Sequence, residues 1–294
     1  MARLTHRLEY VLARAVQMAA QPLSMAAADR VGAGLGRVMY HVLGSRRRIA
    51  ADNIRCTIGG EWGADEVEEL VRRVFGNLGR TLLETARLGR YRPERIGDLV
   101  AGAGGEHLRR AHERGKGAVL AVAHYGNWEL AGSWGLSLGY QIDYLTGIQH
   151  NPLVDGLIQR ARGQLGVGLI PSRGALRGVL KALKDNHFVA FACDQHAPRN
   201  AIVIEFLGRK AAVAIGPAQF AIRADCPILP FGFRRERYDR HIITAGEPVY
   251  PPHSGDEKAD IRQMTLAYSR FFEQQIRAYP DQWMWTHRRW KLGE

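Results

Sequence analysis

The chain has 294 residues, 46% hydrophobic and 24% charged, a usage that excludes an intrinsically disordered, collagen-like or coiled-coil protein. Lys and Arg number 41 against 29 Asp and Glu, a formal net charge of +12, which points to an anionic partner, either nucleic acid or an anionic membrane. Cys56, Cys193 and Cys226 form no C-x-x-C pair and no even-numbered framework, which excludes a disulfide scaffold and predicts a reducing, cytoplasmic compartment.

Residues 1–50 carry eight arginines (Arg3, Arg7, Arg14, Arg30, Arg37, Arg46, Arg47 and Arg48) against Glu9 and Asp29, half of the whole excess. Leu4, Leu8, Val11, Leu12, Ala15 and Val16 recur among them at three- and four-residue spacing, the pattern of a helix with one apolar and one basic face. Such a helix suits anionic lipid, where each basic group near the surface adds about 1 kcal/mol. The same pattern also fits a helix packed on the domain with its arginines solvated. The longest charge-free stretch, Ala15 to Ala28, has fourteen residues and contains Gln17, Gln21, Pro22 and Ser24. A membrane span needs about 20 apolar residues, and Glu9 and Arg14 interrupt any signal-peptide core. Residues 1–50 are therefore expected to lie on a membrane as an amphipathic segment, with one domain over residues 51–294.

Within that domain Asp65 to Leu88 reads as a helix with Leu70, Val74, Leu78 and Leu82 on its apolar face. Ala118 to Ala123 is a continuous apolar run, the mark of a strand buried on both faces of a sheet. Helices are then expected from Asn127, over 152–165, 176–184, 217–224 and 260–278. Strands are expected over 141–146, 168–170, 188–193, 202–206, 227–233 and 242–244. This alternation predicts a single α/β domain, a central sheet flanked by helices.

His124-Tyr-Gly-Asn-Trp-Glu129 follows the buried strand directly and opens a helix, the place where functional groups gather in open α/β sheets. A turn at Gly126 can fold Glu129 back onto the imidazole. The carboxylate would then fix the tautomer and leave the other ring nitrogen to take a proton from a hydroxyl. The same hexapeptide also fits a core histidine beside a helix-starting glutamate.

Ala121 to Leu130 resembles the H-x4-D/E block of the late acyltransferases of lipid A biosynthesis, the lauroyl/myristoyl transferase family. Further segments agree in order: Arg46-Arg-Arg-Ile49 with Asn53, Asn151-Pro-Leu153, Arg160 and Arg162, Leu176 to Leu183, Asp194-Gln195, and Trp283-Met-Trp-Thr-His-Arg-Arg-Trp-Lys291. The resemblance implies a glycerolipid-acyltransferase-like mixed sheet and transfer of a fatty acyl group from acyl carrier protein or acyl-CoA to a glycolipid hydroxyl, most directly that of a lipid A precursor. It implies a His124–Glu129 dyad as general base, Arg162 beside the reacting carbonyl, Asp194 as a further catalytic acid position, and Asn127, Trp128, Arg160 and Gln195 against substrate. It implies the cytoplasmic face of the inner membrane, peripheral or monotopic, with no cofactor, metal or nucleic acid. A different membrane glycolipid as acceptor, a basic nucleic-acid-binding protein and a noncatalytic membrane protein are the competing readings.

Three patterns compete with this one. Gly135-Leu-Ser-Leu-Gly139 has the serine-hydrolase spacing around Ser137 but no strand leading into it. Gly32-x-Gly-x-Gly36 and Gly102-x-Gly-Gly105 lack the strand and acidic partner of a dinucleotide site and read as helix contacts and a turn. His187, Asp194 and His196 do not share a metal-ligand spacing. The aromatic, basic terminus fits either stacked bases or packing against the sheet and a membrane interface, and the resemblance favours the second.

Overall fold

The computed structural model describes residues 4–147 and 149–291. Arg3 of the basic segment and residues 292–294 of the expected domain lie outside them. Four helices come first: α1 (Leu4–Ala20), α2 (Met25–Val42), α3 (Gly44–Arg55) and α4 (Ala64–Ala86). After two short 3-10 turns the chain continues as α5 (Ile96–Leu99), β1 (Val100–Gly102), α6 (Gly105–Glu113), β2 (Ala118–Val122), α7 (Trp128–Ser137), β3 (Ile142–Thr146) and α8 (Pro152–Gln164). It closes with β4 (Gly168–Pro171), α9 (Ala175–Lys184), β5 (Phe188–Ala192), β6 (Ala201–Phe206), β7 (Arg209–Ala214), α10 (Gly216–Ala224), β8 (Ile228–Arg237), β9 (Arg240–Ala245) and α11 (Glu257–Ala278). The main sheet is ordered β1-β9-β8-β2-β5-β3-β4, and β6 with β7 forms a separate hairpin. All its neighbours are parallel except β8 and β9, so the sheet is mixed as expected.

The apolar run of β2 is explained by its central place between β5 and β8. Side chains alternate across a sheet, so Val119, Ala121 and Ala123 enter one core while Ala118 and Leu120 enter the other. The first core is covered by α3, α4, α9, α10 and α11, the second by α6, α7 and α8.

Helix α4 carries a small correction to the expected apolar face. Leu82 is exposed, whereas Val67, Val71, Phe75 and Leu83 are buried. Each four-residue step advances about 40° beyond a full turn, so three such steps carry Leu82 about 120° away from Leu70.

The glycine clusters are a helix contact and a turn. A methyl group on Gly36 would lie 2.3 Å from the Phe75 carbonyl oxygen, and one on Gly79 would lie 2.2 Å from that of Gly32. Helices α2 and α4 therefore touch backbone to backbone. Gly102 and Gly104, with φ of 131° and 136°, make the bend between β1 and α6.

The basic segment divides into parts with different surroundings. The boundary expected after residue 50 falls inside α3, whose Ala50, Ala51 and Ile54 are core residues and whose Asn53 donates to the carbonyls of Trp285 and His287. Arg46 donates to the Thr286 carbonyl. Helix α1, by contrast, turns His6, Tyr10, Ala13, Gln17 and Ala20 toward the protein and leaves Leu4, Leu8, Val11, Leu12 and Met18 outside, each more than 60% exposed. Asn151 fastens this helix by donating to the His6 carbonyl and the Glu9 carboxylate while capping α8. Among the described residues no helix is long and apolar enough to cross a membrane.

Candidate active site

Strand pairing brings the two most informative residues together. Val122 of β2 is in register with Ala192 of β5, so His124 and Asp194, each two residues further, leave adjacent carboxyl ends side by side. Asp194 Oδ1 lies 2.7 Å from His124 Nδ1, and its Oδ2 accepts from the His124 backbone N–H at 2.9 Å and from Trp283 Nε1 at 2.8 Å. An acceptor-only carboxylate on Nδ1 fixes the proton there and leaves the lone pair on Nε2. Burial works against charge on both groups, but their mutual attraction and hydrogen bonds outweigh it. Asp194 is held down at about 2, and the His124 imidazole is raised above its ordinary value.

Glu129 is therefore not the carboxylate on the imidazole. Gly126, at φ 59° and with no room for a Cβ against the Phe233 carbonyl, turns the chain so that Glu129 faces α8. There it accepts from Arg162 in a bidentate pair, Nε at 2.8 Å and Nη2 at 2.6 Å. Burial opposes the Arg162 charge, and the hydrogen bonds and charge of Glu129 overcome it. Tyr144 anchors the first turn of α7 by accepting from the Gly132 N–H and donating to the Glu129 carbonyl. Neither hydrogen bond to Glu129 uses Arg162 Nη1.

Leu120, Val122 and His124 share one face of β2, and along that face runs a cavity of about 380 Å³. His124, Trp128, Arg162 and Gln195 line it, with Leu108, Trp134, Ile142, Phe231 and Ile243 supplying much of its apolar wall. The Trp128 ring stands edge-on to His124, 5.0 Å between centroids. Such a site combines apolar volume with a few convergent polar groups.

Two of the expected substrate contacts are elsewhere. Arg160 is exposed on α8 and does not line the cavity, because two residues along a helix is about 200° around it. Asn127 is fully buried behind the site, where its amide donates to Glu84 at 2.8 Å. Glu84 in turn accepts two bonds from Arg235 at 2.7 and 2.6 Å, and Arg235 and Gly126 share the Thr81 hydroxyl. This buried brace under the His124 turn had no motif of its own. Trp283 was visible only as part of the closing block, whose structural reason is now apparent. Residues 282–284 pair with residues 124–126 through the Gly126 N–H to Gln282 and the Met284 N–H to His124. Trp283 and Trp285 are buried in the core and face no interface. Ser137 donates to the Trp134 carbonyl inside α7 and lines no part of the cavity. His187 pairs with Asp143 at 2.7 Å, whereas Asp194 pairs with His124.

A histidine–aspartate pair and a carboxylate-held arginine thus meet at one apolar cavity beside the carboxyl ends of parallel strands in an α/β fold. The chain belongs to the bacterial lipid A biosynthesis acyltransferase family, whose model matches residues 2–292, and it is an acyltransferase. It is 26% identical over 240 residues to the phosphatidylinositol mannoside acyltransferase of Mycolicibacterium smegmatis, covering 79% of this chain and 75% of that one. It is 26% identical over 267 residues to the lipid A biosynthesis lauroyltransferase of Escherichia coli, covering 89% and 84%. The palmitoleoyltransferase of the same pathway in Escherichia coli matches at 26% over the same length.

Proposed function

We propose that the enzyme transfers a fatty acyl group from a thioester, acyl carrier protein being the expected carrier, to a hydroxyl of a membrane glycolipid such as a lipid A precursor. The observation that carries this reading is the His124–Asp194 pair, 2.7 Å apart, on the wall of an apolar cavity. His124 Nε2 removes the acceptor hydroxyl proton as the oxygen attacks the thioester carbonyl. Asp194 stabilises the imidazolium that forms. The carbonyl oxygen becomes an oxyanion, and Arg162 Nη1 donates to it, a contribution of about 3 to 4 kcal/mol for one well-placed donor. Collapse of the tetrahedral intermediate re-forms the carbonyl and breaks the C–S bond, and the imidazolium returns its proton to the departing thiolate. Glu129 in this account holds Arg162 rather than His124, while Trp128 and Gln195 wall the reacting end. The relatives are named for lipid A and for phosphatidylinositol mannoside, and both names support a glycolipid acceptor.

The outer face of α1 supports docking on an anionic membrane. Arg7 and Arg14 border one edge of the exposed Leu4-Leu8-Val11-Leu12 arc, and Val31, Val38 and Val42 are exposed apolar residues on α2, followed by Leu43 at its end. Apolar side chains inserted at the headgroup level, with arginines beside them, suit a helix lying in the interface. The acceptor then reaches His124 from the cytoplasmic leaflet.

The test is to incubate the pure protein with acyl carrier protein and coenzyme A thioesters of graded chain length and with candidate glycolipids, and to read products by mass spectrometry. An acylated glycolipid is the expected product. Thioester hydrolysis with no acylated lipid from any acceptor would overturn the reading.

A further inference from the structure

The segment after α4 forms a second, open cavity of about 280 Å³, lined by Arg87, Arg90, Tyr91, Arg92, Arg95 and Asp98, with Met25, Ile96 and Leu99 as its apolar wall. Four arginines within nine residues of chain thus line one concavity. Their charges are poorly compensated. Arg95 has Asp98 at 3.3 Å, but Arg87, Arg90 and Arg92 have no carboxylate within ion-pair distance among the described residues. Arg87 is 5% exposed and donates to main-chain oxygens at Ala20 and Leu23, with the Tyr91 hydroxyl as a further hydrogen-bond partner and no carboxylate in ion-pair contact. A buried arginine with no anion is an unfavourable arrangement on its own, and an incoming anion offsets its cost. A concave cluster of one sign also focuses potential on that anion.

Its place in the fold is as telling as its charge. Arg87 and the Gln21 amide, which donates to the Ala86 carbonyl, tie the cavity to the corner between α1 and α2. The same segment packs against α7 and α8, the helices that supply Glu129 and Arg162. The cavity is therefore tied both to the helices that carry the exposed apolar residues and to the helices that carry Glu129 and Arg162.

We propose that this cavity binds a phosphoryl group of the glycolipid acceptor. Planar guanidinium groups match phosphate oxygens in bidentate hydrogen bonds, which fixes the headgroup in register as well as attracting it. One phosphate held here leaves the sugar hydroxyls to be sampled by His124. The inference rests on the acceptor reading given above and adds the chemical group by which that acceptor is recognised.

The test uses the full-length protein and R90Q/R92Q, a variant of two exposed side chains that leaves Arg87 and its two carbonyl partners in place. Glucosamine 1-phosphate, titrated calorimetrically, is expected to bind the parent, to bind the variant at least about tenfold more weakly, and to lose out to unphosphorylated glucosamine in neither. This arm needs no turnover, so it reads the site even if glycolipid acylation itself fails. In the second arm, KM for a phosphorylated lipid A precursor should rise at least about tenfold in the variant with kcat and the thioester KM unchanged. The phosphatase-treated lipid should show no difference between parent and variant. Inorganic phosphate binding as tightly as the sugar phosphate would make this a site for free phosphate and overturn the assignment. So would weaker binding of the variant to phosphatidylglycerol vesicles with an unchanged acceptor KM, which would mark a bystander lipid. A raised thioester KM would assign the arginines to the donor's phosphates instead.

Discussion

Asp194 accepts three hydrogen bonds, two of them from groups that do not titrate, and this sets how His124 behaves with pH. A general base works in its neutral form. Since the imidazole is raised above 6.5 in the folded enzyme, kcat/KM should increase with pH and level off only above that value. Replacing Asp194 by Asn removes the attraction and leaves the burial that opposes charge, so the limb should move to lower pH while the plateau falls by about 10²- to 10⁴-fold. Glu129→Gln gives a contrasting result. It weakens the hold on Arg162, so the plateau should fall, by about tenfold or more, while the limb moves far less than in Asp194→Asn. If Glu129→Gln displaced the limb as far as Asp194→Asn, Glu129 would be the imidazole's partner after all. The sequence exposed His124 and Asp194 as polar residues just after two apolar strands, but not their pairing. Whether β3 or β5 lies beside β2 decides which residue meets the ring, and strand order has no local signature. The H-x4-E spacing suggested Glu129 because the turn at Gly126 was legible and its direction was not.

At the scale of elements, periodicity located most strands and helices of residues 64–278 to within a few residues. The N-terminal helices were harder, because α2 packs by glycine rather than by an apolar stripe. Gly32, Gly36 and Gly79 are recognisable as contact points only when α4 is laid against α2. Gly36→Ala should cost about 1–3 kcal/mol through overpacking, read as a fall of several degrees in the thermal midpoint with the site chemistry retained. The buried brace is the second case. Glu84→Ala leaves Arg235 charged and unpaired in the interior, a loss of about 3–5 kcal/mol, and frees the Asn127 turn, so a thermal melt should show a larger drop than for Gly36→Ala. The cavity wall gives a third. Trp134 meets Phe231 edge-on at 6.2 Å and lines the apolar end. Trp134→Ala should shift the preferred thioester toward longer acyl chains, checked by competition between chain lengths in one reaction.

At the scale of the whole molecule, the basic excess that first suggested an anionic partner is distributed over functions that composition could not separate. Arg46 joins the closing block to α3, Arg162 and Arg235 hold buried carboxylates, and Arg7 and Arg14 remain beside an exposed apolar arc. Vesicle cosedimentation separates the last group. Leu8→Gln with Leu12→Gln should weaken binding at every salt concentration. Arg7→Gln with Arg14→Gln should weaken it at low salt and converge with the parent as the Debye length falls from about 10 Å at 0.1 M to 3 Å at 1 M. Equal binding of all three proteins to anionic vesicles would remove α1 as the docking element. The central claim, that His124 is the base for acyl transfer, is tested most directly by the initial rate of acyl transfer from a thioester to a glycolipid in His124→Ala, with folding checked by circular dichroism. The account predicts a folded protein slower by at least about a hundredfold, and a folded variant turning over at close to the parent rate would contradict it.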